Sequence, residues 1–234
     1  MQVDLKPIEK IKASDQVAEK LLKHILQGGI APGEKLPPER ELAALFNVTR
    51  TTLREALKRL EQLKLIAIRQ GQGIMVEDYR TASIDVLLYL LTLDGAIDLS
   101  ILESILEARD LFGREVARLA ARRADQSDLD QMARLMEKMA GTKEPTELQL
   151  LDFELFRLLA LAGKNIVYTL LMNMLKTLHE KHVHLFAPLS SQMDISLQWA
   201  IVEAVRSGNE AEAGEKAGRF LSVGIELLKT LKTM

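Results

Sequence analysis

Pro38-Glu39-Arg40-Glu41-Leu42-Ala43-Ala44-Leu45-Phe46-Asn47-Val48-Thr49-Arg50-Thr51-Thr52-Leu53-Arg54-Glu55-Ala56-Leu57 is the stretch on which the fold turns. Pro38 fits the first turn of a helix, where the N–H that proline lacks would have no partner anyway. The helix it opens is expected to end at Asn47, a residue that tolerates left-handed backbone. Thr49 then stands as N-cap of a second helix, its hydroxyl taking an orphan backbone N–H. Leu53, Ala56, Leu57 and Leu60 follow at the spacing of one buried stripe. Two helices joined by a turn of three or four residues make a helix-turn-helix.

Upstream, Val17, Leu21, Leu22 and Ile25 recur at helical spacing between Asp15 and Gln27, with Ser14 in the N-cap position. Gly28, Gly29, Pro32 and Gly33 break the chain after that helix. Downstream of Lys64 the period changes to alternation. Leu65 and Ala67 on one side and Ile74 and Val76 on the other flank Arg69-Gln70-Gly71-Gln72-Gly73, the pattern of a β-hairpin with a glycine-rich tip. Residues 1–78 therefore read as a winged helix-turn-helix, and 79–83 as a linker. From residue 84 to 234 there is no strand signal. Helical stripes run over 84–93, 99–122, 127–140, 146–162, 166–186, 191–206 and 210–231, so the expected fold is mainly α, with an all-α bundle of about seven helices as the second domain.

Totals narrow the function classes. The apolar fraction of 47% and charged fraction of 27% are those of a globular protein, and no apolar run reaches the length of a membrane span. Residues 1–12 are mixed in charge and do not resemble a secretion signal. The absence of cysteine excludes disulfides, thiolate metal sites and thiol chemistry, and fits a cytoplasmic location. Residues 1–78 hold 13 Lys and Arg against 11 Asp and Glu, and residues 79–234 hold 18 against 22. That asymmetry permits nucleic-acid binding by the first domain, so the placement of the cations has to decide the matter.

The second helix of a helix-turn-helix enters the major groove with its N-terminal residues toward base edges. Here that end is Thr49-Arg50-Thr51-Thr52-Leu53-Arg54. Arginine can fork to guanine O6 and N7, threonine offers a hydroxyl and a methyl, and the helix N-terminus attracts phosphate. Arg50 and Arg54 lie one turn apart on a face opposite the leucine stripe. Arg40 on the preceding helix and the Gly71 hairpin tip can approach the backbone. Taken singly, each arginine is as readily a solvated surface charge.

The segments Pro37-Pro38-Glu39-Arg40-Glu41-Leu42-Ala43, Val48-Thr49-Arg50-Thr51-Thr52-Leu53-Arg54-Glu55-Ala56-Leu57 and Gly71-Gln72-Gly73 resemble the GntR superfamily of bacterial regulators, and the helical second domain extends the resemblance to its FadR branch. The resemblance implies a homodimer that reads a palindromic operator in double-stranded DNA. By it, Arg40, Arg50, Thr51, Thr52, Arg54 and Gly71 match DNA-contacting positions. Most members of the branch hold a metal with one aspartate and three histidines. In this chain the aspartate is Asp152, while Phe156, Gln198 and Phe220 stand at the histidine positions, and phenylalanine offers a metal no donor. The family's metal site is therefore expected to be absent, and no cofactor is implied. Leu151 to Ala160 and Arg109 look like the fatty-acid-responsive member of the branch. That makes long-chain acyl-CoA the expected effector, with Arg109, Asp152, Phe156, Gln198 and Phe220 as effector-binding candidates.

Alternatives stay open. His179 and His182 are helical neighbours that can share a metal, with His184 facing elsewhere, and a small carboxylate is a second effector class. A helical protein-interaction module is a reading of another class, separated by whether binding to duplex DNA is salt-sensitive. An enzyme is not expected, since no nucleophile motif or phosphate-cradling loop occurs and the carboxylates are scattered along amphipathic helices.

Overall fold

The computed structural model describes residues 12–93, 96–186 and 194–232. The chain divides into two compact units, Met1–Asp98 and Leu99–Met234.

The first unit holds α1 (Ala13–Leu26), α2 (Glu39–Leu45), α3 (Arg50–Gln62), β1 (Ile66–Arg69), β2 (Gly73–Val76), two single 3-10 turns and α4 (Leu87–Leu91). Its core is assembled from the apolar stripes of the three longer helices: Val17, Leu21 and Leu22 of α1, Leu42 of α2, and Leu53, Leu57 and Leu60 of α3. Asn47 takes the left-handed conformation that ends the turn after α2, with φ 51°. β1 and β2 pair antiparallel from Ile66↔Val76 to Arg69↔Gly73. Leu65 and Ile66 are both buried, so the core takes two consecutive residues where strict alternation predicts one. The segment before α2 lies along β2: Val76 N–H donates to Glu34 O at 2.9 Å, and Leu36 N–H donates to Ile74 O at 2.9 Å.

Two expectations differ from this unit. Ser14 does not cap α1. Lys12, in extended conformation, is the N-cap without a side-chain bond, and Ser14 is buried inside the first turn. The expected linker and the segment after it are packed onto the first unit. Ser83 N–H donates to Leu63 O at 2.9 Å, and Val86 is buried in the same core as α1 and α3. The physical reason is Val86: local periodicity marks it as apolar but does not say which core receives it.

The second unit is all-α: α5 (Leu99–Arg123), α6 (Gln126–Gly141), α7 (Pro145–Ala162), α8 (Ile166–Phe186), α9 (Ile195–Arg206) and α10 (Glu210–Lys232). Among the described residues it has six of the seven expected helices, because the first expected one belongs to the other unit. Val116, Met132, Met136, Leu155, Leu159, Ile201 and Ala217 meet in one core. Boundaries follow local chemistry. Asp125 and Asp128 form a reciprocal capping box on α6, and Glu144 caps α7 ahead of Pro145. Gly113 lies where α5 meets α7 and α10. A Cβ there would stand 2.4 Å from Leu221 Cδ1 and 3.0 Å from Phe156 Cε1, so its lack of a side chain allows the close approach.

Candidate functional site

At the start of α3, Thr49 Oγ1 accepts from Thr52 N–H at 3.2 Å and pairs with Thr52 Oγ1 at 2.9 Å. The Thr52 hydroxyl is thus part of the cap, which leaves Thr51 as the exposed threonine of the pair. Arg50 and Arg54 are exposed, whereas Leu53, Ala56 and Leu57 are buried, so the helix keeps its cations in solvent beside its core stripe. Arg40 is also exposed. Arg54 is held: its Nε donates to Glu39 Oε2 at 2.8 Å, from α3 to the first residue of α2. Glu39 went unnoticed in the sequence as a positioning residue, since fifteen positions separate it from Arg54 and no local pattern couples them.

The hairpin tip turns through Gly71, with φ 76°, and closes with Gln72 N–H donating to Arg69 O at 3.1 Å. A positive φ at that point is what glycine supplies without strain. At the far end of α3, Arg59 donates to Asp15 Oδ1 of α1 at 2.9 Å and to Tyr89 Oη of α4 at 3.2 Å.

In the second unit the structure brings together all five effector candidates, which come from four helices. α7 presents Asp152 and Phe156 one turn apart, α5 presents Arg109, α9 Gln198 and α10 Phe220. Arg109 donates to Asp152 Oδ2 at 2.5 Å, and Gln198 Nε2 donates to Asp152 Oδ1 at 2.7 Å. The Arg109 guanidinium lies 5.9 Å from the ring centres of both Phe156 and Phe220, within cation–π range. Asp152 and Gln198 are buried and Arg109 is partly exposed. Burial pushes the Asp152 carboxyl above its usual range, against the opposing pull of the Arg109 charge and the bonds from Gln198 and Arg109. Gln198 Oε1 is buried without a hydrogen-bond partner among the described residues.

A divalent metal does not fit this donor set. Asp152 already has both oxygens engaged, one by a cation, and the two rings beside Arg109 supply no lone pair. His179 Nε2 donates to Gln149 O at 3.2 Å, and the ring stacks on Phe153, with centroids 4.8 Å apart. Burial lowers its pKa, an effect to which the nearby Arg109 charge adds, while the Gln149 bond opposes it. The side chains of His182 and His184 lie outside the described residues. Among the described residues no group of three or more histidine, aspartate or glutamate side chains is placed to hold a metal ion.

A winged helix-turn-helix followed by an all-α unit with a buried polar cluster defines a class of two-part regulatory protein. Residues 13–76 match the model "Bacterial regulatory proteins, gntR family" and residues 104–222 match the FCD domain, and the chain belongs to the GntR superfamily, in its FadR branch. The HTH-type transcriptional regulator Mce2R of Mycobacterium tuberculosis is 43% identical over 120 residues, covering 51% of this chain and 50% of that protein. The chain thus spans about half the length of that relative. The fatty acid metabolism regulator protein of Pasteurella multocida is 34% identical over 177 residues, 75% of this chain and 72% of that protein. A solved structure described as that of Lar, which controls expression of the Listeria monocytogenes agr system, has the same fold, with TM-score 0.63 at 16% identity over 97% of this chain and all of the other. No helix among the described residues is long and apolar enough to cross a membrane.

Proposed function

We propose that this chain is a cytoplasmic homodimeric transcription regulator that binds a palindromic operator through its first unit and a long-chain acyl-CoA through its second. The observation that carries the DNA reading is the start of α3, where Arg50, Thr51 and Arg54 are exposed while Leu53 and Leu57 are buried in the core. In this reading Arg50 forks to a guanine edge, Thr51 contacts a base or phosphate, and Arg54 reaches with its terminal nitrogens while Glu39 holds its Nε. Thr52 fixes the helix start that faces a phosphate, Arg40 meets the backbone from α2, and Gly71 lets the hairpin tip approach closely. No catalytic step is assigned to any residue.

The effector reading rests on the fatty acid metabolism regulators among the relatives and on the chemistry around Asp152. Arg109 is already neutralised by Asp152, and the rings of Phe156 and Phe220 give the site an apolar side that suits an acyl chain. The ligand acts by binding one arrangement of the two recognition helices better than another. Fluorescence anisotropy with a palindromic operator, with and without oleoyl-CoA, tests both halves. Salt-sensitive operator binding that shifts with oleoyl-CoA is the expected result. Binding that ignores the ligand removes the acyl-CoA assignment, and failure to bind duplex DNA removes the regulator reading.

A further inference from the structure

α8 carries an apolar face that nothing in the described chain covers. Ile166 is 67% exposed, Val167 58%, Leu170 59%, Leu171 38% and Met174 43%. At i, i+1, i+4, i+5 and i+8 these five share one side of the helix. The opposite side is the one spent on the core, through buried Met172 and Val183. An ordinary surface helix puts charge on its outer face. Here residues 165–175, Asn-Ile-Val-Tyr-Thr-Leu-Leu-Met-Asn-Met-Leu, contain no charge at all. Among the described residues eight other large apolar side chains are exposed, but each lies on a different element or connection and they make no such stripe.

We infer that this face of α8 is where two copies of the chain meet, pairing α8 with α8 about a two-fold axis; the inference rests on the homodimer reading above. A two-fold contact places a surface against itself, so it has to be self-complementary, and an uncharged apolar stripe meets that requirement without like-charge repulsion. Its size fits the centre of such a contact. The five side chains expose roughly 300–450 Å² per copy, so a symmetric pair buries roughly 600–900 Å², about half of what a stable dimer buries, and polar neighbours such as Asn173 supply a rim.

The absence of native cysteine gives a direct test on the full chain. Sedimentation of the wild type is expected to give twice the 26.2 kDa chain mass. Leu170→Glu sets two carboxylates against each other across the axis and is expected to raise the dimer dissociation constant about a hundredfold or more. Mixing Leu170→Glu with Leu170→Lys chains restores the dimer, which a merely misfolded variant cannot do. Leu170→Cys, the only thiol in the chain, is expected to crosslink to itself under mild oxidant. A wild-type dimer that survives Leu170→Glu unchanged and leaves Leu170→Cys uncrosslinked overturns the α8 assignment while sparing the homodimer. A monomeric wild type overturns both, and leaves the face to another occupant.

Discussion

Glu39, the first residue of α2, accepts a 2.8 Å hydrogen bond from Nε of Arg54 on α3. Both side chains reach solvent, so the pair is worth little in stability, on the order of 1 kcal/mol or less. Its effect is on direction: with Nε held, the terminal nitrogens of Arg54 stay in one place. Glu39→Ala is therefore expected to leave the melting temperature nearly unchanged. It should raise affinity for random DNA, because a carboxylate near phosphates is gone, and lower the operator-to-random ratio. A variant that weakens both equally would show that the pair does not orient Arg54.

Arg50 has no such restraint in the described contacts and stands at the exposed start of α3. Arg50→Ala should cost roughly 1–3 kcal/mol on the operator and relax base preference at one position of each half-site. Equal loss on operator and random DNA, measured by competition at fixed salt, assigns Arg50 to phosphate instead.

Asp152 is a buried carboxylate held by Arg109 and Gln198. Removing only the cation, as in Arg109→Leu, leaves that carboxylate unpaired and is expected to destabilise the protein by about 2–4 kcal/mol, below the full penalty for a buried pair because Arg109 is partly exposed. Arg109→Leu combined with Asp152→Leu should recover much of the loss. Urea denaturation of the two variants decides it: a double variant as unstable as the single one means that shape, not charge, was lost.

The His179 ring, half-buried and stacked on Phe153, has its pKa lowered from 6.5, first by desolvation. A depressed folded-state pKa means that protons bind the unfolded chain better, so this stabilising contribution is full above about pH 6.5 and is lost as the pH falls below it. In His179→Phe that loss is absent. The stability difference between wild type and variant should therefore shift toward the variant from pH 7.5 to pH 5. Parallel denaturation profiles across that range would contradict the half-buried, neutral ring.

The legible parts of the fold were those written locally. Thr49 as cap, Leu53 to Leu60 as stripe and Gly71 as tip are each decided within a few residues, and the structure has them in those roles. Val86 was misplaced because an apolar residue announces that it will be buried without saying against what. The cluster around Asp152 had a different kind of visibility. Resemblance located Arg109, Asp152, Phe156, Gln198 and Phe220, but their bonding was hidden, since Arg109 and Asp152 lie 43 positions apart and Asp152 and Gln198 46 apart. Glu39 stood within a segment that carries the resemblance, but no local pattern coupled it to Arg54 fifteen positions away. The uncovered stripe on α8 looked in the sequence like any core helix, because hydrophobic spacing is the same on either side of a rod.

The bond from Arg59 to Tyr89 makes α3 a lever. The helix has 13 residues and a length of about 20 Å, with Leu53, Leu57 and Leu60 as its fulcrum against α1. Arg50 sits at one end and Arg59, tied to Tyr89, near the other, roughly 13 Å away. A pull on Tyr89 that tips the rod by about 5° swings Arg50 by about 1 Å, enough to spoil a hydrogen bond whose useful range is only about 0.5 Å wide. Whatever moves α4 therefore reaches the Arg50 end of α3 without touching it.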